Sequence, residues 1–270
     1  MKPGWLSASL ISLITLSVAS PATWGTFRLG VWLTYWDLDR GVARLATPAG
    51  REVRDVFLFS AALDTRGRVI LLEDPAATAS LVSDLEARGS RVWLTIVNDV
   101  HPEGSEARPV LKDARQIHRI LSDPRLALEH RREIVDLARK LGVSGVDIDY
   151  ENLDPRDRDL FTSFAASLAS GLGREQIQLS VTAQPKERES LSVGPGAHDW
   201  RALCDHVDRL QIKGLGGLRQ FEERRCGREL RFCERCASSI GWETSPAIRA
   251  GTPTTAGSRR RPPSSPPVTP

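Results

Sequence analysis

The stretch GVSGVDIDYENLD, residues 142–154, alternates acidic residues with residues that favour β-strands. Three of its acids, Asp147, Asp149 and Glu151, stand two positions apart. The residues between them are Val146, Ile148 and Tyr150. Because successive side chains of a strand point to opposite faces, the acids share one face, roughly 7 Å apart along the strand. Carboxylates this close in a site poor in water cannot all ionise cheaply. At least one pKa is therefore expected to rise, which would keep a general acid protonated.

The acids of this stretch could instead have no catalytic role. The acids could lie on a solvated edge strand, or arginines could neutralise them. The apolar alternation and the upstream Gly145, in a chain that reads as a parallel fold, favour buried and functional acids, because burying unpaired charge without a function is costly.

Around this stretch the chain alternates apolar strands with amphipathic helices. Besides the quoted strand, strands are predicted at 27–39, 53–64, 91–99, 177–185 and 208–213. Helices are predicted at 81–90, 111–122, 125–141, 155–173 and 199–207. This alternation is typical of a parallel sheet covered by helices, as either a doubly wound sheet or a (β/α)8 TIM barrel.

Two features favour the barrel. The first strand is not followed by the glycine-rich phosphate loop that is typical of a dinucleotide-binding, doubly wound sheet. Polar residues end several strands, as in a barrel whose active site collects the carboxyl ends of its strands. These residues are Asp37, Asn98, Asp99, Glu151, Gln184 and Lys186. The predicted fold class is therefore α/β, a TIM barrel that is incomplete here, with about six β/α units and an irregular C-terminal tail.

The two ends of the chain differ in character from its middle. Residues 1–22 combine Lys2, an apolar run and small residues before Ala22, which predicts a cleaved secretory signal and a secreted or periplasmic protein. An uncleaved anchor or a buried first helix remains an alternative. The barrel domain is predicted at 26–213 and the irregular tail at 214–270. A net charge of +3 in 270 residues, with no basic helix face, argues against nucleic acid as a partner.

The octet SGVDIDYE, residues 144–151, resembles the fourth-strand signature D-G-x-D-x-D-x-E of glycoside hydrolase family 18, the chitinase-like enzymes. The stretches GVWLTYWD, VFLFSAALDTRGRV, LSVTAQPK and DWRALCDHVDRLQI are also similar to the family, so the resemblance spans about residues 28–212. The branch resembled is that of single-domain, spore-cortex-like hydrolases. The resemblance implies a TIM-barrel hydrolase of β-1,4-linked N-acetylglucosamine glycans, either chitin or peptidoglycan, with no cofactor and no metal.

The resemblance also implies roles for individual residues. Glu151 would be the general acid/base, Asp149 would orient the N-acetyl group of the substrate, and Asp147 would tune the charge of Asp149. The carbonyl oxygen of that N-acetyl group would act as the nucleophile, which is a known exception to the two-carboxylate rule. Three further residues would line the sugar site: Trp36, Gln184 and Lys186. The first Asp of the signature is Ser144 here, and a serine at this position could still hydrogen-bond in the interior.

After DRLQI the family typically has a Met-x-Tyr-Asp stretch, whereas this chain continues with Lys213 and Gly214. Beyond this point helical and strand periodicity is lost. Residues 214–270 could be a disordered basic segment, or Cys226, Cys233 and Cys236 could be metal ligands or disulfide partners. A shift of the reading frame near Lys213 is favoured, because the pattern breaks in the middle of a motif.

Six strands cannot close an eight-stranded barrel, so unpaired edges at strands one and six are expected, with water in the site. The sequence therefore predicts a chain of low stability and weak activity. A carbohydrate-binding protein that has lost catalysis is the alternative function.

Overall fold

The computed structural model describes residues 29–103, 108–186, 191–213 and 223–225. Its strands are β1 (Leu29–Thr34), β2 (Val53–Asp64), β3 (Val69–Leu71), β4 (Arg91–His101), β5 (Gly145–Asp149), β6 (Gln178–Ala183), β7 (Arg209–Ile212) and β8 (Glu223–Arg225). Its α-helices are α1 (Leu38–Leu45), α2 (Pro75–Ala87), α3 (Ala114–Ser122), α4 (Pro124–Leu141), α5 (Arg158–Arg174) and α6 (Trp200–Cys204). Short 3-10 helices lie at Tyr35–Asp37, Ala49–Glu52, Pro155–Asp157 and Pro195–Ala197.

The strands form one sheet in the order β1-β2-β4-β5-β6-β7-β8, with β3 paired to β2. The six strands from β1 to β7 along this path are all parallel to their neighbours. β3 and β8 pair antiparallel to β2 and β7. The sheet curls into part of a barrel with helices on its outer side, which confirms the predicted α/β fold and its incomplete barrel.

Several details of the prediction are wrong. The helix predicted at 81–90 is α2, which begins earlier, at Pro75, because Asp74 accepts the N–H of Ala77 and caps it there. β1 ends at Thr34 rather than continuing to 39, because the chain turns through a 3-10 helix into α1, where Asp39 lies in the positively polarised first turn. β3 was not predicted; Asp64 accepts the backbone N–H of Arg66 and Arg68 at 2.8 and 2.9 Å and folds β3 back onto β2. β7, the sixth parallel strand, has no free edge, because β8 pairs with it inside the predicted irregular tail.

Other predictions fall on residues whose structure is not described. The predicted secretory signal at 1–22 lies outside the described residues, as do Cys226, Cys233 and Cys236 and all of the tail except β8. Among the described residues, no helix is both long and apolar enough to cross a membrane.

The outer face of the sheet carries the apolar core. The apolar cluster shared with the helices includes nine residues of the central strands that are each at most 1% exposed: Val56, Leu58, Leu94, Ile96, Val146, Ile148, Leu179, Val181 and Leu210. The helices contribute buried residues at helical spacing, such as Ile134, Ala138 and Leu141 of α4. α4 begins where Asp123 accepts the N–H of Arg125 and ends at Gly142, whose φ of 71° is left-handed. β5 follows within three residues, so the end of α4 determines where the acidic strand enters the sheet.

Large rings and the ion pairs of Asp55 with Arg209 and Arg91 fill the inner face near the amino ends of the strands. The Trp32 and Phe57 rings stack at 5.0 Å, and Phe57 stacks on Trp93 at 5.6 Å. The Arg209 guanidinium lies 4.8 Å from the centre of the Trp93 ring. Asp55 accepts hydrogen bonds from the Trp93 indole and from Arg209, both at 3.0 Å. This packed layer fills the inner face on the amino-end side of the acids.

Candidate active site

The three acids project from the middle of the sheet, where β5 lies between β4 and β6. Asp147, Asp149 and Glu151 are 0%, 3% and 5% exposed. Glu151 lies two residues beyond the carboxyl end of β5. The intervening Val146, Ile148 and Tyr150 belong to the apolar cluster under the helices. The alternation in the sequence therefore corresponds to an acidic inner face and an apolar outer face.

Asp147 is the deepest of the three and is held by neutral donors from three strands. The Thr182 hydroxyl donates to its two oxygens at 3.0 and 3.1 Å, and the Gln211 amide donates at 3.2 Å. The Thr95 hydroxyl donates at 3.3 Å. Burial raises the pKa of Asp147 in spite of these hydrogen bonds, because they bring no positive charge.

Asp149 is in contact with the ammonium group of Lys213. The Lys213 Nζ lies 2.7 Å from its Oδ1 and 2.8 Å from its Oδ2. Burial raises the pKa of Asp149 to about 7 against the charge of Lys213, and the negative charges of Asp147 and Glu151 add to the rise. Asp149 is therefore a carboxyl group that exchanges its proton near neutral pH.

Glu151 contacts two lysines. Its Oε1 lies 2.5 Å from the Lys213 Nζ and 2.6 Å from the Lys112 Nζ. Burial alone would raise the pKa of Glu151, but hydrogen bonds from both ammonium groups outweigh it and lower the pKa. Glu151, the residue that the family resemblance implies as the general acid/base, therefore does not have a raised pKa in this arrangement. The raised pKa values belong to Asp147 and Asp149, and the neutralising groups are lysines rather than arginines.

The backbone of Glu151 is fixed by Asn98 of β4. The Asn98 Nδ2 donates to the Glu151 carbonyl at 2.9 Å, and the Glu151 N–H donates to the Asn98 Oδ1 at 2.9 Å. Asn98 is fully buried. The sequence marked Asn98 only as one of several polar strand ends, and the paired hydrogen bonds give it a positioning role.

Lys112 was not singled out by the sequence. Its backbone is left-handed, with φ of 54°, and its N–H donates to the Asp99 Oδ1 at 2.8 Å. A lysine in a turn carries no local pattern that would mark it. Lys213 was recognised only as a departure from a family motif, although Arg209, Gln211 and Lys213 stand at strand spacing and so share the inner face.

The residues predicted to line the sugar site lie at different distances from the acids. Gln184 is near them, because its Oε1 accepts the N–H of Asn152, the residue after Glu151, at 3.1 Å. Lys186 donates to the His198 carbonyl at 2.7 Å and lies over the Trp200 ring. Trp36 is 64% exposed and touches the Tyr35 and Phe59 rings edge-on.

Ser144 hydrogen-bonds on the helix side of the sheet rather than in the interior. Its hydroxyl donates to Glu86 of α2 at 2.6 Å, so it joins the strand to a helix. Within the described residues, no three His, Cys, Asp or Glu side chains converge as metal ligands would.

Comparison with known proteins identifies relatives of the same fold. Residues 112–215 match the family model described as Glycosyl hydrolases family 18. The Bacillus subtilis protein named as a sporulation-specific glycosylase, YdhD, is 31% identical over 75 residues, which are 28% of this chain and 18% of that protein. The match therefore spans less than a fifth of that relative.

Solved structures extend the similarity beyond the matched segment. A chitinase from Chromobacterium violaceum is 22% identical with a TM-score of 0.55, covering 68% of this chain and 55% of that one. A class V chitinase from Pseudomonas fluorescens is 20% identical with a TM-score of 0.59, covering 68% and 53%. The spore cortex-lytic enzyme SleL of Bacillus cereus is 19% identical with a TM-score of 0.56, covering 68% and 41%. This chain thus spans about half the length of these structures and shares their barrel fold.

Proposed function

We propose that this chain, whose residues 112–215 match the model of glycosyl hydrolases family 18, is a glycoside hydrolase of β-1,4-linked N-acetylglucosamine glycans, either chitin or peptidoglycan. The observation that carries the proposal is the acidic inner face of β5, which ends in Glu151 at the mouth of the curled sheet. The chitinases and the cortex-lytic enzyme of the same fold act, by their names, on such glycans.

In the proposed reaction Glu151, once protonated, gives its proton to the glycosidic oxygen. The bond between that oxygen and the anomeric carbon breaks, and the N-acetyl carbonyl oxygen of the same sugar bonds to the anomeric carbon. The resulting oxazolinium ion is then attacked by water, whose proton returns to the Glu151 carboxylate. Two displacements at one carbon retain its configuration, and the substrate rather than the protein supplies the nucleophile.

Asp149 and Asp147 support this sequence of steps. Asp149 lies beside Glu151 on the same face, where a carboxyl group can orient the N-acetyl N–H and stabilise the positive charge of the oxazolinium ion. With a pKa of about 7, Asp149 is partly ionised at neutral pH, and its carboxylate form stabilises that positive charge. Asp147, buried beneath, contributes to the raised pKa of Asp149.

A carbohydrate-binding protein without catalysis is the second candidate. The observation in its favour is the contact of two ammonium groups with Glu151, since a carboxylate so paired is a poor proton donor.

Hydrolysis and binding of short N-acetylglucosamine oligomers separate the two candidates. For an enzyme we expect turnover by the unaltered chain, a fall of at least about 100-fold in Glu151→Gln and unchanged oligomer affinity by calorimetry. Glu129→Gln, an exposed residue on α4, is the matched control and should keep full activity. Equal rates in the unaltered chain and Glu151→Gln, with binding intact, would favour the binding protein.

We also propose export, supported by the composition of residues 1–22. The test is the N-terminal mass of the protein recovered from an expressing bacterium. A mature chain that begins after Ala22 in the periplasm or medium supports export, and a full-length chain in the cytoplasm contradicts it.

A further inference from the structure

Lys213 contacts both of the outer acids. Its Nζ lies 2.5 Å from the Glu151 Oε1 and 2.7 Å from the Asp149 Oδ1, and its side chain is 19% exposed. The ammonium group therefore occupies the space between the proposed proton donor and the carboxyl group proposed to orient the substrate. A sugar ring bound against both acids would have to share or take over that space.

The backbone explains why the lysine points inward. The Lys213 N–H donates to the Ala183 carbonyl at 3.0 Å, which extends the pairing of β7 with β6 by one residue. Arg209 and Gln211 contact Asp55 and Asp147 on the inner face. Because strand side chains alternate, Lys213 follows them onto that face. Its contact with the acids is therefore a consequence of strand register.

Charged and titratable groups face Glu151 from several elements. They are Lys213 after β7, Lys112 before α3, Asp149 and Asp147 of β5, and His198 after the last 3-10 helix. Burial lowers the pKa of His198 to about 4, so this histidine is neutral at working pH. Lys112 is 41% exposed on its side chain and Lys213 is 19% exposed, so the Lys213 charge is less screened by water.

We propose that Lys213 is a positioning residue that holds Glu151 as a carboxylate in the resting site, so that the acid step begins only when this ammonium group leaves Glu151. The inference rests on the proposed function, because it concerns the proton donor of that reaction. It implies that the substrate itself starts the acid step, because a substrate that displaces Lys213 releases Glu151 to take up a proton.

The first test measures Glu151 itself and needs no substrate. Lys213→Met keeps the length of the side chain and removes its charge, and Lys213→Arg keeps the charge. In carbon-13 NMR titrations of the glutamate carboxyl groups, with Glu151→Gln assigning the signal, we expect the Glu151 pKa to rise by roughly one unit or more in Lys213→Met. Lys213→Arg should stay near the unaltered chain. Equal Glu151 pKa values in Lys213→Met and the unaltered chain would overturn the inference.

Lys112→Met is the second variant, and it keeps the test available should Lys213→Met fail to fold. Removal of the more exposed lysine should raise the Glu151 pKa less than removal of Lys213 does. If Lys213→Met does not fold, Lys213→Gln takes its place in this comparison. A larger shift in Lys112→Met than in the Lys213 variant would assign the holding role to Lys112 and overturn the inference.

The pH dependence of hydrolysis then links the lysine to the reaction. The alkaline limb of kcat/KM for short N-acetylglucosamine oligomers should move to higher pH in Lys213→Met by the same amount as the NMR titration. An unmoved limb in an active Lys213→Met would overturn the inference. A shifted Glu151 titration in a chain that hydrolyses nothing would contradict the proposed function and still support the resting contact.

Discussion

Arg209 on β7 donates a hydrogen bond to Asp55 on β2 at 3.0 Å, across the inner face of the sheet. Three strands, β4, β5 and β6, separate β2 from β7 in the sheet order. In a flat sheet four strand spacings amount to roughly 19 Å, too far for one arginine to cross. The ion pair therefore shows that the sheet is curved, so that the inner side chains of β4, β5, β6 and β7 face one another. The same curvature brings Lys213 to Glu151.

Replacement of Asp55 should destabilise the protein strongly. Asp55→Asn would remove the carboxylate that pairs with the buried Arg209 guanidinium, which is 7% exposed, and with Arg91. We expect a loss of about 3 kcal/mol in the free energy of unfolding, measured by urea titration. Asp136→Asn is the matched control, because its ion pair with Arg139 is exposed on both sides; it should change stability by less than about 0.5 kcal/mol. Similar losses in the two variants would contradict the role given to the buried pair.

Gly145 should not accept a larger side chain. A Cβ at this position would overlap the Trp93 ring, which the stacked layer holds in place. Gly145→Ala should therefore cost about 1–3 kcal/mol, seen as a lower Tm. Gly173→Ala on α5, where a Cβ meets nothing within 4 Å, should be neutral or more stable by up to about 1 kcal/mol. A stable Gly145→Ala would mean that the ring moves more freely than its packing indicates.

Loss of the Asn98 side chain should lower the rate of hydrolysis without moving its pH dependence. Asn98→Ala removes both hydrogen bonds to the Glu151 backbone and leaves its buried groups unpaired, at about 1–3 kcal/mol of stability. A misplaced Glu151 should reduce kcat by about 10- to 100-fold, while the lysine contacts still set its titration. Steady-state kinetics across pH would show the distinction. A pH profile that shifted with Asn98→Ala would assign Asn98 an electrostatic role instead.

Acid should destabilise the protein partly through His130. This histidine hydrogen-bonds the Tyr150 hydroxyl at 2.6 Å, and burial lowers its pKa from 6.5 to about 4. Between these values the unfolded chain binds a proton that the folded chain does not. The stability contributed by the neutral His130 is therefore fully present above about pH 6.5 and is lost as the pH falls towards 4.

His130→Gln measures this contribution. It should reduce the slope of unfolding free energy against pH by up to about 1.4 kcal/mol per pH unit in this window. Urea titrations at several pH values between 4.5 and 6.5 would measure it. His206→Gln, at an exposed histidine, is the matched control. An unchanged slope in His130→Gln would show that the buried imidazole takes up its proton as readily in the folded chain as in the unfolded one, and would contradict the prediction.

The sequence predicted the regular elements of the centre of the chain well. Residues 53–64 form β2 with the predicted bounds, and the strand within the quoted stretch is β5. Both have strong local signals, an apolar run closed by a turn and a strict alternation ended by acids. β3 and β8 were missed, because a three-residue strand is decided by its partner strand and leaves almost no trace in composition.

The sequence by itself determined that three acids share one face of a buried strand, because side-chain alternation is a local property of the backbone. Only the tertiary structure decided which of them carries a proton. Lys112 and Lys213 approach Glu151 from loops after other strands, and their charges lower its pKa, while burial leaves the higher pKa to Asp149. A pKa depends on every charge within a few ångströms, and those charges come from parts of the chain that only folding brings together.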